Sequence, residues 1–189
     1  CNYMAIMNVN PTRMQLSKLK KQLVTAVRGH KMLKDKRDEL MRQFLDLVKD
    51  TRELRDKVER ELNECNSHFV NASAVMSKQA LDASLMSPKQ QINIEISAKN
   101  VMSVEIPQFD TSNRTNDEGD IFPYGFAFTS FELDDAIMSF NDVLPDMIKL
   151  AQYEKSCELM SAEIEKTRRR VNSLEHVMIP RYQETIKYI

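Results

Sequence analysis

The sequence predicts a mainly α protein, a long antiparallel two-helix coiled coil with a short central β-hairpin. Three observations carry this. With three glycines, six prolines and no tryptophan in 189 residues, the composition suits long helices better than a compact mixed core. Apolar residues recur in steps of three and four through both ends of the chain, and between those ends the period drops to two. The expected organisation is one elongated domain, 1–189, with an N-terminal helix over about 11–86, a hairpin and loop over about 90–128, and a C-terminal helix over about 130–189. The leading "CNYMAI", residues 1–6, is set aside as foreign to the fold.

The N-terminal helix opens at Asn10-Pro11, a capping residue followed by proline at the first helical position, where its missing N–H costs nothing. From Leu16 the three-four walk lands on Leu19, Leu23, Ala26, His30, Leu33, Arg37, Leu40, Phe44, Leu47, Thr51, Leu54 and Val58, with His30, Arg37 and Thr51 its polar members. A second step of four then leads to Leu62, Cys65, Phe69, Ala72 and Met76, a stutter that unwinds a supercoil locally without ending the helix. No proline occurs between Pro11 and Pro88, which predicts one helix of roughly 75 residues, on the order of 110 Å at about 1.5 Å per residue.

In the middle, Ile92, Ile94 and Ile96 alternate, then Met102, Val104 and Ile106, around the turn-prone "SAKN" at 97–100. This predicts a hairpin formed around Ile92, Ile94, Ile96, Val104 and Ile106, with Ile92, Ile94 and Ile96 showing one apolar face. A polar loop, "DTSNRTNDEGD", follows, and then Phe122, Tyr124, Phe126, Phe128 and Phe131. These aromatics are read as a plug for the open end of the helical hairpin in preference to a ligand pocket.

The C-terminal helix opens at Thr129-Ser-Phe-Glu132, a capping-box pattern, and carries Leu133, Ile137, Phe140, Leu144, Met147, Leu150, Tyr153, Cys157, Met160, Ile164, Thr167, Val171, Leu174 and Met178. Pro145 and Pro180 interrupt its hydrogen bonding and predict kinks. Pairing Phe69 with Phe140 sets His30 opposite Ile179 and Gly29 opposite Pro180, and leaves both chain ends at one tip.

Charge is sorted along such a hairpin. Residues 8–37 hold nine Lys/Arg against one acid, and residues 166–189 six against two; residues 110–165 hold three against thirteen. A net formal charge of −1 therefore hides a basic tip and an acidic middle, an asymmetry that concerns partners more than folding. The basic tip comprises Lys18, Lys20, Lys21, Arg28, Lys31, Lys34, Arg168, Arg169, Arg170 and Arg181. The successive Arg168, Arg169 and Arg170 fan over roughly 200° at about 100° per residue, so the charge surrounds the seam. A reader of nucleic acid gathers its cations along a phosphate track, whereas a shaft inside a ring needs a compatible surface all round.

Cys1, Cys65 and Cys157 match neither a disulfide framework nor a metal knuckle and point to a reducing, cytoplasmic setting. No apolar run approaches the 18 residues or more of a membrane span. There is no Gly-rich phosphate loop, and His30, His68 and His176 lack metal-ligand spacing, although the register above lets His30 approach His176. The expectation is a non-enzyme with no catalytic residue, cofactor or metal site. On the residues alone, two other classes stay open: a prefoldin-like coiled-coil chaperone and a nucleic-acid-binding coiled coil.

Four stretches, "NPTRMQLSKLKKQL", "GHKMLKDKRDELMRQF", "VMSVEIPQF" and "RRRVNSLEHVMIPRYQETIKYI", resemble the D subunits of the V-type and archaeal A-type rotary ATPases, in order and across nearly the whole chain from Met7. The resemblance implies a central rotor shaft that couples ATP hydrolysis or synthesis to proton or sodium transport. Its paired termini would enter the ring of catalytic and non-catalytic nucleotide-binding subunits. The small F subunit of the central stalk would bind alongside, and the middle would point to the component linking it to the membrane rotor. The resemblance also implies a cytoplasmic protein peripheral to the membrane, with neither a span nor a nucleic-acid partner. Members usually continue past "ETIKYI" with a charged helical tail, so the chain is expected to be a piece of a longer protein.

Overall fold

The computed structural model describes residues 6–115, 118–125 and 129–189. Its elements are α1 (Arg13–Val75), α2 (Lys78–Leu85), β1 (Ile92–Val101), β2 (Val104–Asn113), a 3-10 turn at Glu118–Ile121, α3 (Phe131–Ser173), a π turn (Leu174–Met178) and α4 (Ile179–Tyr188). The protein is mainly α, with a two-stranded antiparallel hairpin between the long helices. Its contacts divide into two compact units: the first takes residues 1–45 and 158–189, the second residues 46–157.

In the first unit the α1 walk is legible in the burial: Leu19 and Leu40 are buried, and Leu23, Ala26, His30 and Leu33 are half-buried. Met160, Ile164, Thr167 and Val171 are all buried on the returning α3. Lys36 reaches Glu163 at 3.2 Å and His30 reaches Glu175 at 3.2 Å, so the helices run antiparallel. The His30 partner lies one turn before Ile179, the residue expected opposite it.

In the second unit the pairings Thr51 with Cys157, Arg55 with Glu154 and Lys57 with Asp146 continue the antiparallel order. Val58, Cys65 and Val143 form one apolar cluster, with Leu54, Leu62 and Leu150 against it. Ala72, Leu81 and Leu133 form another, with Phe69, Met76, Tyr124 and Ile137 around it. Along α3 the seam passes through Ala136 and Val143 and leaves Phe140 and Met147 exposed, against expectation. The small Ala136 and Ala72, both fully buried, take little room where the sequence pattern sets two large aromatics face to face.

The N-terminal helix is not one piece. It breaks at Met76-Ser77, where Ser77 turns to extended backbone (φ −68°, ψ 147°) and its hydroxyl accepts the N–H of Ala80, capping α2. Leu81 on α2 then covers Ala72 and Leu133, burial that a straight continuation of α1 would forgo. At the start of α3 the expected capping box is replaced: the Thr129 hydroxyl donates to the Gly125 carbonyl, and the helix begins at Phe131.

The hairpin turns four residues later than "SAKN". Met102 and Ser103 both take positive φ (52° and 71°), the two-residue turn whose twist matches that of paired strands. The side chain of Asn100 accepts the Ser103 N–H at 3.1 Å and steadies it. The resulting register pairs Ile96 with Phe109 and Val101 with Val104. Because side chains alternate between faces, Ile92, Ile94 and Ile96 share one face, while Val104 and Ile106 lie on the other. Val104 is buried, whereas Ile94 and Ile96 stand 48% and 71% exposed. The Phe109 N–H donates to the Gln152 side chain of α3, tying the hairpin down.

Of the aromatic plug, Tyr124 packs on the Ala72–Leu133 cluster and tilts against Phe122, while Phe131 is 73% exposed and takes no part. Phe126 and Phe128 lie outside the described residues. The Tyr124 hydroxyl donates to Asp134 at 2.6 Å, and burial first, then that carboxylate, pushes its pKa up.

Candidate partner-binding surface

The sequence-derived cations all fall in the first unit, and the side chains that flank them explain why they point outward. On α1, Lys18, Lys20 and Lys21 bracket the buried Leu19, and Arg28, Lys31 and Lys34 lie off the half-buried stripe of Ala26, His30 and Leu33; all six are exposed. On α3, Arg168, Arg169 and Arg170 fill the interval between Thr167 and Val171, two residues that are each 1% exposed. Two buried residues four apart hold one face of the helix inside, so the three between them must sweep the remainder. Arg181, on α4, is exposed as well.

Little within the chain neutralises this collar. Among the described residues Arg169 alone of the ten makes an ion pair within 4 Å, with Glu165 one turn earlier. Such an exposed pair is worth about 0–1 kcal/mol, leaving the positive field open to a partner. Lys34 contributes at closer range: Glu175 has its pKa lowered first by the His30 hydrogen bond, then by the nearby charges of His176, His30 and Lys34. The hydrogen-bond partner of His30 is Glu175, the sequence neighbour of His176.

Two residues that the sequence did not single out complete the tip. The Met7 N–H donates to the Thr185 hydroxyl at 3.1 Å, and Thr185, fully buried, donates in turn to the Arg181 carbonyl. A polar residue inside α4 gave no signal of this, because its burial depends on a segment 178 positions away in sequence.

The hairpin residues form a separate surface in the second unit, where Ile94 and Ile96 are open to solvent. Among the described residues no three His, Cys, Asp or Glu side chains gather as a metal site would require, and no helix is long and apolar enough to cross a membrane. Cys65 and Cys157 carry free thiols, and burial pushes that of Cys65 up.

The family of ATP synthase D subunits matches residues 15–189. The chain is similar to the V-type ATP synthase D subunit of Acetivibrio thermocellus, 60% identical over 186 residues that cover 98% of this chain and 84% of the relative. It is similar also to the protein of the same description from Clostridioides difficile, 53% identical over 98% of this chain and 83% of the relative. A Clostridium botulinum relative, again described as a V-type ATP synthase D subunit, is 55% identical over 98% of this chain and 88% of its own length.

Proposed function

Because the chain belongs to the family of ATP synthase D subunits, we propose that it is the central-stalk shaft of a rotary ATPase, coupling nucleotide turnover in a surrounding ring to proton or sodium transport. The observation that carries this reading is the likeness over residues 15–189, which takes in all but the first fourteen residues of the chain. The ring of catalytic and non-catalytic nucleotide-binding subunits takes the basic collar, the small F subunit binds alongside, and a linking component joins the shaft to the membrane rotor. The chain itself has no catalytic role in this scheme.

The collar suits a surface that must meet successive members of the ring. A tight, permanent ion pair would hold the shaft in one orientation; many exposed cations, each worth about 0–1 kcal/mol, can be exchanged while the whole stays favourable. The test is reconstitution: the chain should comigrate with the nucleotide-binding hexamer, and an excess of the F subunit should raise its melting temperature by mass action. A chain that passes through alone, or a melting temperature unmoved by that excess, sinks the respective contact.

A further inference from the structure

We infer that the π turn at Leu174–Met178 is a one-residue register insertion that turns α4 so that Arg181 faces outward with Arg168, Arg169 and Arg170. The burial pattern carries it. Along α3 and into the π turn the seam reads Met160, Ile164, Thr167, Val171 and Leu174, steps of four and three. Continued unbroken, those steps reach 178, 181, 185 and 188. Of these, Met178 is half-buried and Thr185 buried, but Arg181 is exposed and Tyr188 is 64% exposed, while Ile179, Tyr182, Ile186 and Ile189, each one position later, are all half-buried. Thr185 lies beneath the Met7 segment that bonds to it.

A shift of one position is what a π turn provides. Its hydrogen bonds reach back five residues instead of four, so one extra residue is taken up without breaking the helix. The bond is present: the Ile179 N–H donates to the Leu174 carbonyl. Pro180 explains its place, since it lacks the N–H that would bond the His176 carbonyl in an α-helix and its ring crowds that carbonyl. One residue corresponds to roughly 100° of rotation about the axis. Without it, Arg181 and Tyr188 would turn toward the seam and Ile186 and Ile189 would turn out. The inference deepens the rotor reading by giving the position of Arg181 in the collar a cause, and rests on it only for the identity of the partner.

The test uses the full chain carrying Arg181→Cys or Ile186→Cys, with labelling of each introduced thiol read by peptide mass mapping. Cysteine at 181 should label several-fold faster than at 186, since the former is exposed and the latter half-buried. Deleting the exposed Val177 should restore an α turn, keep that labelling order and move the melting temperature by only a few degrees. Deleting the exposed Ser161, with no π turn beside it, should rotate Ile164, Thr167 and Val171 off the seam and lower the melting temperature far more. Equal or reversed labelling rates, or a Val177 deletion as damaging as that of Ser161, would overturn the inference. Failure of the unaltered chain to assemble with the ring while the labelling order is intact would count against the rotor reading instead.

Discussion

The two units are built from the same pair of helices yet carry opposite charge. The first holds sixteen Lys/Arg against eight acids, the second eleven against twenty. They also handle cations differently. In the second unit Arg55 and Lys57 on α1 each meet an acid on α3, Glu154 and Asp146, so charge is neutralised across the helix pair. In the first, Lys36 meets Glu163 in the same way, but Arg168, Arg170 and the six α1 cations of the collar have no such partner among the described residues. The cores differ in kind as well. The second unit gathers apolar clusters that draw in α2 and Tyr124, whereas the first buries a narrow line between two helices. The second neutralises cations across its helix pair, and the first leaves most of its collar cations exposed.

The sharpest way to break this comparison is to reverse the collar. Arg168, Arg169 and Arg170 changed together to Glu should weaken assembly with the ring, or turnover by the assembled complex, by at least roughly tenfold, about 1.4 kcal/mol. The free chain should melt within a few degrees of the parent, since all three are exposed. Arg169→Gln alone should do little. Affinity and steady-state ATPase rate at low and raised salt are the measurements; a triple variant that assembles and turns over normally at low salt makes the collar a solubility face.

Next in size is the contrast between cores. Leu40→Ala and Leu133→Ala each remove a fully buried side chain, a class of change that costs about 2–5 kcal/mol. Leu133, packed among residues of α1 and α2, should lie near the upper end, and Leu40, in the narrow seam, near the lower. Urea unfolding of both variants decides; a larger loss at Leu40 would invert the comparison.

Ile94→Ser with Ile96→Ser should change the stability of the free chain by no more than about 0.5 kcal/mol per site and spare its far-UV helical signal, because both side chains are already in water. Loss of most helical signal would show that the hairpin supports the helices. The smallest effect concerns His30→Ala, which should raise the Glu175 pKa back toward its ordinary value of 4.5. A lowered carboxylate contributes stability above its ordinary pKa and loses it as pH falls through the lowered one, so the variant should differ from the parent least at low pH. Titration of Glu175 by NMR checks this.

Legibility in the sequence followed the physics of each element. The α1 stripe could be read because every position in a two-helix seam faces the same neighbour, and from Leu19 to Met76 each is buried or half-buried. The break at Met76-Ser77 could not, since neither proline nor glycine marks it and its cause, Leu81 docking on Leu133, is tertiary. "SAKN" has turn composition, but Met102-Ser103 turns with residues that seldom take positive φ, so composition alone misplaces the register. Size favours Phe140 over Val143 as a seam residue, yet the structure buries the smaller one. The collar cations were legible because charge needs only an exposed position; the outward turn of Arg181 depends on a π turn that Pro180 signals only as a kink.

The buried hydroxyls of the seams bear on how such a helix pair would deform under load. Thr51 donates to the Leu47 carbonyl at 2.6 Å, Ser156 to Gln152 at 2.7 Å and Thr185 to Arg181 at 2.7 Å, each within its own helix. Their strongest bonds therefore do not cross to the facing helix; Thr51 offers Cys157 only a weak sulfur contact at 3.6 Å. Where these residues sit, twisting one helix against the other distorts dispersion contacts, which weaken gradually, and the directional bonds that cross the pair nearby are exposed ion pairs such as Arg55 with Glu154, which can break and re-form. Such an interface yields as a spring does, returning strain smoothly when the load is released.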